Sequence, residues 1–233
     1  MSRQIGRVAT TNSEFLALRP RYSQSTAALK GYVETVVDWE ATHGLVLRAP
    51  KAGGAGEESW QRAALVPAPV ALAPSPIPRS EFDKVVALQP TLNLLFDRIS
   101  RDHGFLVDTL QSIGTADEFT SRVFAMYLKQ QDAGVVKPAT IGIHRSDYLI
   151  DAPESDPNAQ PRAKQVEFNT IASSFASLSA IVGDLHRFLL ERTGYKGLLE
   201  AGSIEADQLP PNSSLTSIAD GIAAGFGLYG KPE

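Results

Sequence analysis

The stretch Val166-Glu167-Phe168-Asn169-Thr170-Ile171-Ala172-Ser173-Ser174-Phe175 decides the reading of this chain. From Lys164 to Asn169 the residues alternate: Val166 and Phe168 fall on one side, Glu167 and Asn169 on the other. That period of two is a strand with one apolar face. Small hydroxylated residues follow, with Ser173 and Ser174 read as the cap of a helix over about Phe175–Arg192. Leu178, Ile181, Val182, Leu185, Phe188 and Leu189 form the apolar side of that helix. Glu167 and Asn169 project together, and a carboxylate beside an amide carbonyl offers hard oxygens of the kind that suit Mg²⁺. The unbonded N–H groups at the start of the next helix attract anions. Together these are the parts of a site for ATP or an acyl phosphate, although the same alternation also describes a strand with one face in water.

Upstream, Ala139 to His144 is short and β-branched, which predicts a strand. Consecutive strands usually lie side by side, so Arg145 falls near the Glu167 strand. Its guanidinium could clamp a substrate carboxylate through two parallel bonds, or simply pair with Asp147 at the surface. His144 reads either as a base or as a structural residue. A polar loop over 151–162 separates the two strands. No phosphate-binding Gly-rich loop ending in Lys-Ser/Thr, no His-Glu-x-x-His zinc motif and no Gly-x-Ser-x-Gly elbow occurs in the sequence.

The remainder reads as scaffold. Ser25–Gly44 has helical spacing through Ala28, Leu29, Tyr32, Val33, Val36 and Val37, with Gly44 as its stop. A glycine-rich loop begins at Pro50. The five prolines between Leu65 and Pro78 exclude a helix interior or a central strand, leaving an extended segment laid on the core or a proline-rich ligand motif. Ser80–Leu110 reads as a helix in two pieces, N-capped by Ser80, broken or kinked at Pro90 and again near Gly104, with a buried stripe through Leu92, Leu95, Phe96, Ile99, Phe105, Leu106 and Leu110. Thr115 and Glu118 have capping-box spacing for a helix that stops at Gly134. Leu215–Phe226 predicts a final helix despite its glycines. The fold expected is α/β, with helices around a small, mostly parallel sheet.

Composition narrows the function classes. Of 233 residues, 22 are Lys or Arg and 26 are Asp or Glu, a formal charge of −4, so there is no basic excess to neutralise a nucleic acid. The absence of cysteine rules out disulfides, thiolate metal sites and cysteine nucleophiles. No apolar run reaches the ~18 residues of a membrane helix. The N-terminus lacks the apolar core of a secretory signal, which makes the cytoplasm the expected compartment.

Ile143-His144-Arg145-Ser146-Asp147-Tyr148, followed by Gln165 to Phe175, resembles eukaryotic-type glutathione synthetase. Asn93 to Asp97, Phe119 to Phe124 and Leu228 to Pro232 are similar to that family in the same order, so the resemblance runs from about Leu29 to the C-terminus. It implies an ATP-grasp ligase that joins γ-glutamylcysteine to glycine through an acyl phosphate made from ATP. By motif match, Glu167 would contact Mg²⁺ and ATP, and Asn169 would be a second Mg²⁺ ligand. Arg145, Ile171, Ala172, Ser173 and Ser174 would contact γ-glutamylcysteine. Ala172 departs from the serine usual in the family. A homodimer is implied by the resemblance alone. The family chain is about twice as long, so residues 1–233 are expected to be its N-terminal, substrate-side portion, without the ATP-grasp half and lid, and inactive in isolation. The alternative is a non-catalytic substrate-binding or dimerisation module derived from the ligase; a third expectation is an unstable fragment without function.

Overall fold

The computed structural model describes residues 11–17, 26–49, 64–113, 117–134, 139–171, 173–192 and 205–229. Along the chain these form α1 (Asn12–Ala17), α2 (Thr26–His43), β1 (Val46–Arg48), β2 (Leu65–Pro67), α3 (Arg79–Arg101), α4 (His103–Ile113), α5 (Glu118–Asp132), β3 (Arg145–Asp151), β4 (Arg162–Asn169), α6 (Ala176–Glu191) and α7 (Ser214–Tyr229), with a 3-10 turn at Ala206–Gln208. The glycine-rich loop expected from Pro50 lies outside the described residues. The mixture of helices and strands agrees with the α/β expectation. The mostly parallel sheet does not appear. Among the described residues there are two separate two-stranded ribbons, β1–β2 and β3–β4. The first is antiparallel, with Val46 opposite Pro67 and Arg48 opposite Leu65. In the second, residues 152–161 join the strands with no helix between them, whereas a parallel pair needs a longer crossover.

The chain divides into two compact units. The first comprises Met1–Phe82, Tyr148–Lys164 and Ser174–Ser217; the second comprises Asp83–Asp147, Gln165–Ser173 and Ile218–Glu233. The core of the first unit is built by α2 and α6. Val36 and Trp39 from α2 meet Leu185, Leu189 and Leu190 from α6, closed by Leu45 and Ala73. Leu45, Leu185 and Leu189 are fully excluded from solvent, each worth about 1.5–3 kcal/mol of apolar transfer. Trp39 also stacks on His43, with ring centroids 3.8 Å apart. Gly44, at φ +74°, ends α2 in the left-handed conformation that glycine adopts without a Cβ penalty. The proline-rich segment is extended, as expected: its start pairs as β2, and Ala68, Val70, Leu72 and Ala73 lie on the core. The His186 ring on α6 holds it through a 2.9 Å bond from Nε2 to the Ala71 carbonyl. In α1, Asn12 Nδ2 donates to the Asp156 carbonyl at 2.8 Å, fastening the loop that follows β3.

In the second unit, several boundaries move. Pro90 lies inside α3, which runs unbroken to Arg101. The break falls at Asp102, whose Oδ1 accepts from Phe105 N at 3.0 Å and starts α4; Gly104 is inside that helix. Aspartate is a stronger N-cap than glycine is a breaker at this place. Helix α3 starts at Arg79 rather than from a Ser80 cap, with the Pro78 carbonyl accepting from Phe82 N at 2.9 Å. Thr115 lies outside the described residues, and α5 is capped by Asp117, which accepts from Thr120 N at 2.7 Å. Gly134, at φ +65°, stops it as expected. The stripe read along α3 and α4 is only half-buried at Leu92, Phe96, Ile99 and Leu106, and Leu95 and Phe105 are exposed. All the buried apolar side chains among the described residues (Phe15, Val36, Trp39, Leu45, Ala73, Leu185, Leu189 and Leu190) belong to the first unit.

The strand expected over 139–144 is not formed; those residues are irregular and the strand begins at Arg145. Ile141 packs against Gly225 of α7 so closely that a Cβ there would stand 2.8 Å from its Cγ1. Ile141 is thus used on a helix rather than in a ladder.

Candidate functional site

On β3, Arg145 and Asp147 are two residues apart and share a face; on β4, Glu167 and Asn169 do the same. The two strands pair, and all four side chains belong to the second unit. Arg145 grips Asp147 with a two-pronged contact, Nε to Oδ1 at 2.9 Å and Nη2 to Oδ2 at 3.1 Å. Both side chains are partly in solvent, 40% and 32% exposed, so the contact fixes an orientation more than it stabilises the fold. The hydrogen bonding to Asp147, with the negative charges of Asp147 and Glu167, pushes the already high pKa of the guanidinium further up. Arg145 is therefore a permanent cation.

Asn169 joins the two pairs, and its amide can face either way. With Nδ2 toward β3, it donates to Asp147 Oδ2 at 3.3 Å and to the Arg145 carbonyl at 3.5 Å. That orientation sets the amide oxygen against Glu167 Oε1, acceptor to acceptor, at 2.8 Å. Turned over, the nitrogen donates to Glu167 Oε1 at 2.8 Å and the oxygen accepts from Arg145 Nη2 at 3.0 Å. The second set is shorter and charge-assisted, so it is the arrangement of the amide when nothing else is bound.

On the opposite face of β4, Val166 is exposed but Phe168 is packed. Phe168 stacks on Phe96 of α3 with ring centroids 3.6 Å apart and planes within 8°. His144 lies 5.2 Å from the Phe168 ring, and its Nδ1 meets Asn93 Oδ1 at 3.3 Å. Of the two readings of His144, these contacts support the structural one. Asn93 and Phe96 serve as the wall behind the candidate site.

After β4, Ile171 is 93% exposed. Ala172 lies outside the described residues. Ser173 does not cap α6; its Oγ lies 2.9 Å from the Ile143 carbonyl and 3.1 Å from the Asn169 carbonyl, pinning the turn to the end of the preceding segment. The N-cap position is Phe175, at φ +68° with no side-chain cap bond. Ser174 is exposed and belongs, with α6, to the first unit. The structure thus brings Arg145, Glu167, Asn169 and Ser173 into one unit. Asp147 is the addition: its spacing of two from Arg145 on a strand was the available signal.

Glu167 is exposed and offers carboxylate oxygens, and Asn169 can present an amide oxygen beside it. Among the described residues no group of three or more His, Cys, Asp or Glu could hold a metal. Two hard donors on one strand face fit Mg²⁺, which keeps several waters and takes phosphate oxygens, better than they fit a metal needing a protein cage. The Asn169 N–H faces Glu167, and turning the amide exchanges it for the oxygen.

The family described as "Eukaryotic glutathione synthase, ATP binding domain" matches residues 26–233. The chloroplastic glutathione synthetase of Solanum lycopersicum is 33% identical over 184 residues, covering 76% of this chain and 32% of that protein. The glutathione synthetase of Xenopus laevis is 34% identical, covering 71% and 33%. That of Homo sapiens is 29% identical, covering 90% and 41%. The chain therefore spans between a third and two-fifths of the length of these relatives. Among solved structures, a glutathione synthetase like-effector from Globodera pallida in apo form is similar in fold, with a TM-score of 0.68 at 23% identity over 91% of this chain and 42% of that one. Among the described residues no helix is long and apolar enough to cross a membrane.

Proposed function

Because the chain belongs to the eukaryotic glutathione synthase family, we propose that it is the substrate-side portion of an ATP-dependent ligase joining γ-glutamylcysteine to glycine. The observation that carries this reading is the single amide of Asn169, within hydrogen-bond distance of both Arg145 and Glu167. In that orientation the amide oxygen is held by a permanent cation suited to a carboxylate, and turning the amide would set that oxygen beside Glu167 as a pair suited to Mg²⁺·ATP.

In this reading the γ-phosphoryl group of ATP passes to the C-terminal carboxylate of the dipeptide, giving an acyl phosphate and ADP; the glycine amine then attacks the acyl carbon and phosphate leaves. Arg145 orients the dipeptide, with the turn from Ile171 through Ala172 and Ser173 to Ser174 supplying further contacts. Glu167 and Asn169 would hold the Mg²⁺ that offsets phosphate charge. The reading also includes a homodimer, on the family resemblance.

Titration calorimetry with γ-glutamylcysteine and with Mg²⁺·ATP, beside an ATP hydrolysis assay, tests it. Arg145→Ala should weaken dipeptide binding about tenfold or more, while Glu167→Gln should weaken Mg²⁺·ATP instead. Unchanged affinities in both variants would remove these residues from a site. A second reading, a binding module without turnover, is favoured by the absence, among the described residues, of a group of three or more His, Cys, Asp or Glu able to hold a metal; dipeptide binding without Mg²⁺·ATP binding would select it.

A further inference from the structure

Asp147 has no part in that ligand set, yet it touches two of its residues. Its carboxylate accepts both prongs of Arg145, at 2.9 and 3.1 Å. It also lies 3.3 Å from the Asn169 amide position that faces β3. In the cation-free arrangement that position holds the amide oxygen, committed to Arg145 Nη2 at 3.0 Å, while the nitrogen is committed to Glu167. For Asn169 to offer its oxygen to a cation beside Glu167, the amide must turn. Its nitrogen then needs a new acceptor, and Arg145 loses one.

We propose that Asp147 is the positioning residue of this site. It accepts from Asn169 Nδ2 when the amide turns its oxygen toward the cation, and it keeps hold of Arg145 while that happens. This rests on the assignment of Glu167 and Asn169 to a cation. The physical requirement is general: a ligating group is aimed by the bond its other end makes, and loss of that outer bond typically costs about 10–100-fold in metal affinity. Asp147 meets it without moving: its Oδ2 lies 3.3 Å from the position the nitrogen takes on turning. That nitrogen then also stands 3.0 Å from Arg145 Nη2, donor to donor, and the hold of Asp147 on both groups is what makes the turned amide tolerable. A carboxylate is also the acceptor best able to hold an arginine that would otherwise be drawn to the negative charge of Glu167.

The test is a titration of the whole chain with MgCl₂ in the presence of ATP, followed on the side-chain amide signals of Asn169, which are identified by their loss in Asn169→Ala. In the native protein the pair of signals should shift as the ion binds. Asp147→Asn should raise the midpoint about tenfold, and Asp147→Glu should recover most of that loss. Dispersion of the backbone signals reports whether each variant is folded. The Arg145 Nε–H signal should move in Asp147→Asn and return in Asp147→Glu. If the native Asn169 signals ignore Mg²⁺, the cation assignment itself falls. If they respond but Asp147→Asn titrates like the native chain, only the role of Asp147 is overturned.

Discussion

Glu40 is 1% exposed in the last turn of α2, and its Oε1 has no hydrogen-bond partner among the described residues. Burial pushes its carboxyl above the ordinary value of about 4.5. A group whose folded pKa is raised binds protons more tightly folded than unfolded, so stability falls as pH rises from about 4.5 through the higher folded value. At neutral pH, the charged form is therefore the one that costs. An unsatisfied buried acceptor costs about 1–3 kcal/mol, and Met fills similar space without one, so Glu40→Met should raise unfolding stability at pH 7 by about 1–2 kcal/mol. Glu40→Gln keeps the shape and removes only the charge; its gain should be present at pH 7 and absent at pH 4. Urea unfolding followed by tryptophan fluorescence reads both. A loss of stability in Glu40→Gln at pH 7, or the same difference at both pH values, would refute the reasoning.

Other expectations follow from single contacts. In α7, Gly227 has open space where a methyl group would sit, whereas Gly225 faces Ile141. Gly227→Ala should stabilise by about 0.5–1 kcal/mol, but Gly225→Ala should lose about 1–3 kcal/mol to overpacking, less its own helix gain. Adding Ile141→Ala should restore that gain; thermal unfolding showing equal gains at both glycines would dismiss the contact. His186 is held neutral because burial lowers its pKa from 6.5, so the fold should weaken as pH falls below about 6.5 and level off below the folded value. His186→Gln should abolish that dependence, and identical pH profiles in urea would contradict it. Ser173→Ala should loosen the turn after β4 by about 1 kcal/mol, read as faster amide exchange over 170–174; unaltered exchange would show that the hydroxyl is not its anchor.

Local signals of high specificity survived folding. The strand at β4, the apolar side of α6 and the glycine stops at Gly44 and Gly134 are all where their chemistry puts them, although of the apolar side of β4 only Phe168 packs and Val166 stays exposed. The failures are places where a distant partner overrode a local preference. Ile141 and Ile143 are good strand residues, but Ile141 is taken by α7, so the ladder starts later. Pro90 removes one donor from α3 without ending it. Ser173 uses its hydroxyl on the Ile143 and Asn169 carbonyls, which no reading of the turn alone could reveal. The face shared by Glu167 and Asn169 was legible from spacing, and the nearness of Arg145 from strand adjacency, although Arg145 opens β3 instead of following a strand over 139–144. The pairing of Arg145 with Asp147 was also open to sequence, but the amide of Asn169 that links them to Glu167 emerges only once β3 and β4 are paired in space.

Among the described residues, the confinement of buried apolar side chains to the first unit has a kinetic consequence. Amide hydrogens in α6 are released to solvent only when a packed core comes apart, whereas those of α5, whose Phe119, Val123 and Met126 are exposed, need only brief local fraying. Deuterium should therefore enter α5 long before α6, and a dye that brightens on exposed apolar surface should report on the second unit while the chain is still folded.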